Sequence, residues 1–323
     1  MKVLITGASG FIGKHLVDLL HSEKFEIRCL VRKTSNVKEI EDKVKLVYGE
    51  ITIPNSLPDA VKDVDYIIHM AGLVKALDTE KYYKVNTQGT INLFEATLKH
   101  NPKIKKFVYI SSQAASSPSE IPISEDFPSS PVTSYGKSKL ESEKFLEKNY
   151  DKLPITIIRP SAVYGPYDKE FLSVYQLINF GFEPLVKGGK TKISLVYVKD
   201  LVKSIYLATI SNKTIGKKYF SANPEPVYII DFYKEIEKQL GKKFVLRVPI
   251  PISILYTSAF LNTLISKLTN QTSMFNFEKV NEIKNSWVCS PQRIIQDTGM
   301  KYEYSLEKGL EETIKWAKDN KLL

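Results

Sequence analysis

Short apolar runs alternate with amphipathic stretches through the first half of the chain. The runs are rich in β-branched and aromatic residues, which is typical of buried strands, and the longer stretches carry the spacing of helices. The predicted strands lie at 2–5, 25–31, 44–48, 64–70, 106–110 and 155–158. The predicted helices lie at 11–20, at 81–99 and within 132–149. This alternation predicts an α/β fold, a Rossmann-type doubly wound parallel sheet with helices on both faces.

The pattern changes after Arg159 and Pro160, where prolines and glycines become frequent. A helix is predicted at 200–209, and a strand at 218–221 is expected to rejoin the sheet. Beyond Asn223 the pattern predicts a helix at 230–240, a strand at 244–248 and further helices near the end. We therefore predict a dinucleotide-binding domain at 1–160 and about 195–223. A smaller C-terminal substrate-binding lobe is predicted at about 161–194 and 224–323.

One long segment, Val248 to Ser266, carries no charge. It contains Pro249 and Pro251 and several Ser, Thr and Asn residues, unlike a membrane-spanning helix, which needs about 20 predominantly apolar residues. Its apolar residues fall near helical spacing, and they are Ile254, Leu255, Leu261, Leu264, Ile265 and Leu268. We favour a helix packed within the globular fold and expect no membrane contact. A helix that contacts a membrane or a partner is the alternative.

The composition of the 323 residues is that of a globular protein, with 43% hydrophobic residues and a formal net charge of +10. The lysines are spread along the chain, which favours a solvated surface over a nucleic-acid-binding patch, although they also attract phosphate-bearing ligands. Cys29 and Cys289 are far apart and lack metal-ligand spacing. We therefore expect no disulfide framework, no metal site and a cytoplasmic location. A strand that begins at residue 2 leaves no room for a signal peptide.

The glycine-rich loop Thr6 to Gly13 follows the first predicted strand and opens the first predicted helix. Backbone N–H groups and the positive end of a helix dipole bind phosphate at such a turn. Gly7 permits the tight turn, Gly10 lets the pyrophosphate approach and Gly13 lets the helix pack close. The spacing is GxxGxxG, and a structural turn without ligand is the alternative. The predicted cofactor contacts of this loop are Gly7, Ser9, Gly10, Phe11, Ile12 and Gly13.

The end of the second predicted strand distinguishes the two nicotinamide cofactors. NAD binding normally uses a carboxylate about 20 residues past the loop to bind the ribose hydroxyls. The chain has Val31-Arg32-Lys33 there, with no carboxylate. Arg32 can pair with the 2′-phosphate of NADP, so NADP(H) is favoured over NAD(H). Two solvated surface cations are the alternative.

Tyr135 and Lys139 lie four residues apart at the start of a predicted helix and therefore share one helical face. A phenol has a pKa near 10 and is a poor base at neutral pH. A nearby ammonium group and a cationic nicotinamide both favour the phenolate, which moves the tyrosine toward acid/base chemistry. The Tyr-x-x-x-Lys spacing is common by chance. It gains weight here because it follows a glycine loop and several strands.

At this point the chain resembles an extended short-chain dehydrogenase/reductase of the NAD-dependent epimerase/dehydratase family. The resemblance starts at the glycine loop, includes Tyr135 to Lys139, and runs through most of the chain. Other matching segments are Glu50-Ile51, His69 to Gly72, Asn86 to Thr90, Ile110 to Ser112, Arg159 to Pro166 and Val196 to Asp200. The family usually has Asp-Leu where this chain has Glu50-Ile51.

The resemblance implies roles for particular residues. Tyr135 would be the general acid/base, Lys139 would hold the nicotinamide ribose and lower the Tyr135 pKa, and Ser112 would bind the substrate oxygen. Ser111 is the alternative serine. Asn86 would lie beside the cofactor or, alternatively, be a helix-start residue. The other implied cofactor contacts are Glu50, Ile51, Ala71, Gly72, Pro160 and Val163. The family also implies a homodimer formed through the helices at 81–99 and 134–149.

The substrate is less constrained by these residues. Sugar-nucleotide epimerases of the family often carry Asn where this chain has Ala162, and an Arg where it has Lys190 to Leu195. These departures, Arg32 and the apolar 248–268 segment are closer to the hydroxysteroid-dehydrogenase and flavonol-reductase branch. Three functions remain open. The first is an NADP(H)-dependent oxidoreductase acting on a carbonyl or secondary alcohol. The second is a nucleotide-sugar epimerase or dehydratase that retains its cofactor, and the third is a cofactor-binding regulator without turnover.

Overall fold

The computed structural model describes residues 1–76, 78–269 and 276–323. The strands, in chain order, are β1 (Lys2–Thr6), β2 (Glu26–Val31), β3 (Lys45–Tyr48), β4 (Tyr66–His69), β5 (Lys106–Ile110), β6 (Ser119–Ile123), β7 (Ile155–Pro160), β8 (Ala162–Tyr164), β9 (Phe182–Val186), β10 (Lys192–Ile193), β11 (Leu195–Tyr197), β12 (Lys217–Ser221), β13 (Val227–Tyr228), β14 (Leu246–Ile250) and β15 (Trp287–Cys289). The helices are α1 (Phe11–Ser22), α2 (Pro58–Val61), α3 (Thr79–Tyr82), α4 (Gly89–His100), α5 (Ser134–Glu147), α6 (Glu170–Asn179), α7 (Val198–Ile210), α8 (Ile229–Leu240), α9 (Ile252–Thr269), α10 (Phe277–Ile283), α11 (Gln292–Thr298) and α12 (Leu306–Asp319).

Within the described residues, seven parallel strands form the central sheet in the order β3-β2-β1-β4-β5-β7-β12. The order reverses next to β1, which places a crevice at the carboxyl ends of β1 and β4, where doubly wound sheets bind their ligands. The predicted parallel sheet is confirmed. The predicted return of the chain at 218–221 is also confirmed, because β12 pairs with β7 at the edge.

Successive side chains of the central strands point to opposite faces and build two cores. On one face Val3 and Ile5 pack with α1 and α7 through residues such as Leu16 and Ile205. On the other face Leu4 lies in a core with apolar side chains of α2, α4 and α5. The helices on both faces of the sheet are therefore as predicted.

The helix predicted at 81–99 is longer and less regular than expected. It runs from α3 to α4 through a π-helical segment, Tyr83–Gln88. The wider turn orients Asn86 and Thr87 toward α5, where the Thr87 hydroxyl donates to the Ser138 carbonyl at 3.1 Å. Asn86 is thus in the middle of a helix, and its interpretation as a helix-start residue is wrong.

The second half of the chain contributes short sheets beside the central one. β8 pairs with β11, β9 pairs with β14, and β6, β10, β13 and β15 form a four-stranded sheet. The strand predicted at 244–248 lies two residues later, at Leu246–Ile250, because its register is set by parallel pairing with β9. Residues 270–275 of the predicted lobe lie outside the described residues, and the lobe boundaries stay a prediction.

The uncharged segment does form a helix, α9, but its predicted packing is largely wrong. Leu255 is buried and packs with Ala259 and with Val280 of α10. The other apolar residues that predicted a packed face are exposed, and they are Ile254, Leu261, Leu264, Ile265 and Leu268. In residues 1–76, 78–269 and 276–323, no helix is long and apolar enough to cross a membrane. The predicted dimer through α4 and α5 stays a prediction.

Candidate active site

The glycine loop connects β1 to α1 at the crevice. Gly10 is the N-cap of α1, with an extended backbone and no side chain to cap the first turn. Its N–H donates to the Gly7 carbonyl at 3.1 Å, which closes the turn. The first-turn N–H groups of α1 therefore point out of the loop, the arrangement that binds phosphate. Ser9, Phe11 and Ile12 are partly buried around this turn.

The three glycines of the loop differ in what requires them. A Cβ at Gly7 would lie 2.8 Å from the Ala71 nitrogen, and its φ of +80° already disfavours other residues. A Cβ at Gly13 would lie 2.5 Å from the Ala8 carbonyl oxygen. A Cβ at Gly10 would meet only the Gly7 carbonyl, at 3.3 Å. The fold thus requires Gly7 and Gly13, whereas the space above Gly10 is left open and fits a pyrophosphate.

The residues predicted to contact the adenosine of the cofactor lie directly after β2 and β3. Arg32 is exposed directly after β2, where the chain turns through a hydrogen bond from the Ser35 N–H to the Arg32 carbonyl at 2.9 Å. Arg32 forms no ion pair with any described residue. Glu50 is partly exposed, whereas Ile51 is buried in the core against Gly89. The place of Ile51 beside an adenine stays a prediction.

A buried chain of hydrogen bonds fixes the centre of the crevice. The hydroxyl of Thr6, at the end of β1, lies 2.7 Å from Nδ1 of His69 and accepts from the Ala71 N–H at 3.1 Å. Nε2 of His69 lies 3.0 Å from the hydroxyl of Thr90. Burial lowers the pKa of His69 to about 3, so the imidazole is neutral and acts as a structural bridge. These hydrogen bonds hold Ala71 in place next to the exposed Gly72.

Asn86 is buried beside Gly72, where its amide is fully used by the protein. Its Oδ1 accepts from the Leu73 N–H at 2.7 Å, and its Nδ2 donates to the Leu73 carbonyl at 3.0 Å and to the Ser138 hydroxyl at 2.9 Å. Asn86 therefore ties the loop after β4 to the helix that carries Tyr135. Its predicted contact with the cofactor stays a prediction, and its observed contacts are those of a positioning residue.

Tyr135 lies in the first turn of α5, whose N-cap Thr133 accepts a hydrogen bond from the Gly136 N–H at 3.0 Å. A Cβ at Gly136 would overlap the carbonyl of Ala114, so α5 starts directly against the turn that follows Ser112. The Ser112 hydroxyl accepts from the Ala114 N–H at 3.1 Å and lies close enough to the Tyr135 side chain to lower the pKa of the phenol.

The two candidate serines at the end of β5 differ in their surroundings. Ser112 lies against Tyr135. Ser111 is buried, and its hydroxyl has no hydrogen-bond partner among the described residues. Because adjacent residues of an extended strand point to opposite sides, only one of the two can face the tyrosine. The geometry therefore favours Ser112.

Lys139 is buried one helical turn after Tyr135 and points into the crevice. Its ammonium group donates to the Ile110 carbonyl at 2.7 Å and lies 4.6 Å from the centre of the Tyr109 ring. A Cβ at Gly72 would lie 3.6 Å from its Nζ, which places Lys139 directly beneath the loop after β4. Lys139 thus lies between the loop after β4 and the end of β5.

Burial shifts the pKa values of both side chains. It raises the pKa of Tyr135 to about 12, with a smaller opposite effect from the hydrogen bond with Ser112. It lowers the pKa of Lys139 to about 7. The charges that act on Tyr135 are Glu170 and Glu282, which raise its pKa further. The protein alone therefore holds Tyr135 as a protonated phenol, and the predicted lowering of its pKa by Lys139 stays a prediction.

The remaining predicted cofactor contacts, Pro160 and Val163, lie on β7 and β8. Pro160 is buried at the end of β7, and Val163 is partly buried on β8, where it pairs with Val196. The sequence also contained residues whose role it did not reveal. Among these are Ser138, which binds Asn86, and Glu278 of α10, which accepts from the Ser134 N–H at 2.9 Å. His69 stood in a motif that resembled the family, and only its hydrogen bonds identify it as a bridge.

A pocket lies near Tyr135, on the far side of Tyr82. Its lining residues are Ala76, Thr79, Tyr82, Thr263, Asn276, Phe277 and Glu278. The ring of Tyr82 lies 6.3 Å from the ring of Tyr135, centre to centre. Thr263 belongs to α9 and Phe277 to α10, so the C-terminal part of the chain forms one side of this pocket.

Comparison with known proteins places this geometry in context. A model of the NAD dependent epimerase/dehydratase family matches residues 3–220. The sterol-4-alpha-carboxylate 3-dehydrogenase (decarboxylating) of Candida albicans is 25% identical over 99% of this chain and 98% of that protein. The ceramide reductase of Caulobacter vibrioides is 28% identical over 97% of this chain and 93% of that protein.

A solved structure supports the same architecture. The crystal structure of UDP-glucose 4-epimerase from Thermotoga maritima superposes with a TM-score of 0.80, and covers 99% of both chains at 19% identity. At this identity the likeness establishes the fold. The sheet order and the crevice described above are thus those of an experimentally known architecture.

Proposed function

The chain belongs to the NAD-dependent epimerase/dehydratase family and is an enzyme that uses a nicotinamide dinucleotide, and from this premise we propose that it is an NADP(H)-dependent oxidoreductase. Its substrate would be a secondary alcohol or the corresponding carbonyl compound. The observation that carries this proposal is that Ser112 lies against Tyr135 after β5, while Lys139, one helical turn after Tyr135, donates to the Ile110 carbonyl at the end of β5. We also propose a cytoplasmic location, which the two free and buried cysteines support.

The proposed roles follow from this geometry. The glycine-loop amides would hold the pyrophosphate and Lys139 the nicotinamide ribose, so that the bound nicotinamide supplies or accepts the hydride. Ser112 would orient the substrate oxygen, and Tyr135 would transfer the proton at that oxygen. Because the pKa of Tyr135 is raised to about 12, the protein holds it in the acid form. This supports proton donation to a developing alkoxide, the direction of carbonyl reduction.

The proposed substrate is less polar than a nucleotide sugar. Ala162 stands in β8 where sugar-nucleotide enzymes of the family often have Asn, and the stretch from Lys190 to Leu195 has no Arg to form a bidentate pair with a diphosphate. Two relatives are named for a sterol and for ceramide, which are both lipids. These features support an apolar substrate that carries one hydroxyl or carbonyl group at the reacting carbon.

Turnover tests this function directly. Purified protein should oxidise NADPH stoichiometrically in the presence of a ketone or aldehyde from a panel of apolar carbonyl compounds, followed by loss of NADPH absorbance. Dinucleotide released from the purified protein should be identified by mass. Cofactor that stays bound through turnover without net consumption would contradict the proposal and favour an epimerase or dehydratase.

Arg32→Ala tests the cofactor preference. A charge-assisted hydrogen bond to the 2′-phosphate contributes about 1.5–3 kcal/mol, so the dissociation constant for NADPH should rise by about 10- to 100-fold. The dissociation constant for NADH should change little, as measured by quenching of protein fluorescence. Lys38→Ala is a matched control, since Lys38 is an exposed cation of the same region. Equal weakening of both cofactors in Arg32→Ala would contradict the preference for NADP(H).

A further inference from the structure

The outward face of α9 is more apolar than its buried face. Leu255 and Ala259 point inward, together with the partly buried polar residues Asn262 and Thr263. The outward residues span an arc of roughly 140° at 100° per residue, and they are Ile254, Phe260, Leu261, Leu264, Ile265 and Leu268. A surface helix normally has the opposite arrangement. Packing of α9 against the rest of the chain therefore does not explain why most of its large apolar residues lie on the outward face.

The apolar surface continues from α9 onto the neighbouring β9–β14 pair. Val186 and Ile250, at the ends of these strands, pack against the buried face of α9. Phe180 before β9 is 79% exposed, and Phe244 before β14 is 80% exposed. Phe182, Leu246 and Val248 on the two strands are exposed as well. Contiguous apolar surface of this extent marks an interaction site.

Lysines adjoin this surface at both ends of the strand pair. Lys187 lies after β9 and lines a pocket with Pro251 and Ile252 at the start of α9. Lys190 follows it, and Lys242 and Lys243 directly precede Phe244. These four lysines form no ion pair among the described residues. Of the nearby carboxylates, Glu183 and Glu237 both pair with Arg247, which offsets part of their negative charge. The surface is thus apolar with a basic margin.

The same helix lines a pocket near the candidate active site. Thr263 of α9 and Tyr82 line one pocket, and the Tyr82 ring lies 6.3 Å from the Tyr135 ring. α10 connects the two regions, because Val280 packs on α9 and Glu278 accepts from the Ser134 N–H. A surface that covers the apolar face of α9 would therefore lie beside the pocket that Tyr82 and Thr263 line.

We propose that α9 and the β9–β14 pair dock on an anionic phospholipid bilayer, and that an amphipathic lipid enters the active site from it. The second clause rests on the proposed oxidoreductase function. An apolar helix face inserts into the interfacial region of a bilayer, and neighbouring lysines bind its anionic headgroups. A second copy of the chain fits less well, because a two-fold contact through this face would bring like-charged lysines together.

Vesicle binding tests the docking. Wild-type protein should sediment with vesicles in which about a third of the lipid is phosphatidylglycerol, and less with pure phosphatidylcholine. Leu261→Ser with Ile265→Ser should weaken binding at least about tenfold, because two apolar side chains are lost from the contact. Ile53→Ser with Ile215→Ser is the matched control. Both of those residues are exposed elsewhere on the protein, so vesicle binding should be unchanged.

Activity on presented substrates distinguishes docking from chemistry. Short water-soluble 2-alkanones should be reduced equally by wild type and by the α9 double variant. Long-chain 2-alkanones in the anionic vesicles should be reduced faster than short ones by wild type, and the double variant should lose this preference. Vesicle binding without turnover of any ketone would support the docking and overturn the proposed function.

Three results would overturn the docking. One is the absence of wild-type binding to the anionic vesicles, and another is equal binding by the α9 double variant. The third is a dimer in light scattering that dissociates in the double variant, which would assign the surface to a second copy. Circular dichroism and NADPH binding of the double variant should match wild type, so that a loss of vesicle binding reflects the surface and not the fold.

Discussion

The crevice of the central sheet buries polar side chains, whereas the outward face of α9 exposes apolar side chains. In the crevice, polar groups are buried, and those from Thr6 through His69 to Thr90 are paired with one another. On α9, apolar groups lie in the open, and Leu268 is 87% exposed. Each region departs from the usual partition of polar outside and apolar inside.

The two departures have different physical meanings. A buried polar network costs desolvation free energy and is kept where it fixes geometry, here the positions of Ala71, Asn86 and Tyr135. An exposed apolar face gains nothing in the isolated chain and becomes favourable only when another surface covers it. This comparison supports the two proposals above, in which the crevice of the sheet carries out the reaction and the C-terminal part of the chain docks on a membrane.

Tyr135→Phe should have the largest effect, because it removes the proton donor without changing the ring. Turnover should fall by about 10²- to 10⁴-fold, the range for a positioned general acid/base. NADPH affinity and vesicle binding should stay near wild type, since neither depends on this hydroxyl. Steady-state kinetics and fluorescence titration measure both quantities.

Tyr150→Phe is the matched control for this variant. Tyr150 packs against the core under α5, and its hydroxyl has no hydrogen-bond partner among the described residues. Turnover of this control should stay within about threefold of wild type. If turnover were unchanged in Tyr135→Phe, Tyr135 would not be the proton donor. The crevice would then no longer be the site of the reaction, as the comparison assumes.

A smaller effect is expected from a pair of Leu→Ala variants within α9. Leu255→Ala removes a buried side chain packed with Ala259 and Val280, and should lower the free energy of unfolding by about 2 kcal/mol. Leu261→Ala removes an exposed side chain and should change it by less than about 0.5 kcal/mol. Both variants replace the same residue type in the same helix, so helix propensity cancels. Urea unfolding followed by circular dichroism provides the measurement.

Equal destabilisation by the two substitutions would break the comparison, because it would mean that Leu261 is covered in the folded protein. A folded second copy would produce that result, and it would also make the stability of wild type depend on protein concentration. The contrast between the two faces of α9 would be sharpened if the free energy of unfolding of Leu261→Ala equalled that of wild type. This value should also be independent of protein concentration.

Much of the sheet and part of the site could be predicted from the residues alone. The strands were predictable because each buried strand is a short apolar run between turn residues. The glycine loop was predictable because its function depends on a fixed local spacing, and so was the shared face of Tyr135 and Lys139. These features depend on local geometry, and local geometry depends on the identity and spacing of neighbouring residues.

Other features depend on residues far apart in the chain. Ser111 and Ser112 are equivalent in sequence, and the contact of α5 with the turn at Ala114 places Ser112 against Tyr135. The π-helical segment that orients Asn86 becomes visible only through its bonds to Leu73 and Ser138. The strand at Leu246–Ile250 takes its register from β9, about 60 residues earlier.

The sequence by itself determined the parallel sheet, the glycine loop and the shared helical face of Tyr135 and Lys139, because each follows from the order and spacing of neighbouring residues. Tertiary structure alone decided which side of α9 is covered. Helical periodicity shows that apolar residues share a face, whereas burial depends on partners such as Val186 and Val280, which other parts of the chain supply. Those partners cover Leu255 and leave Leu261 exposed.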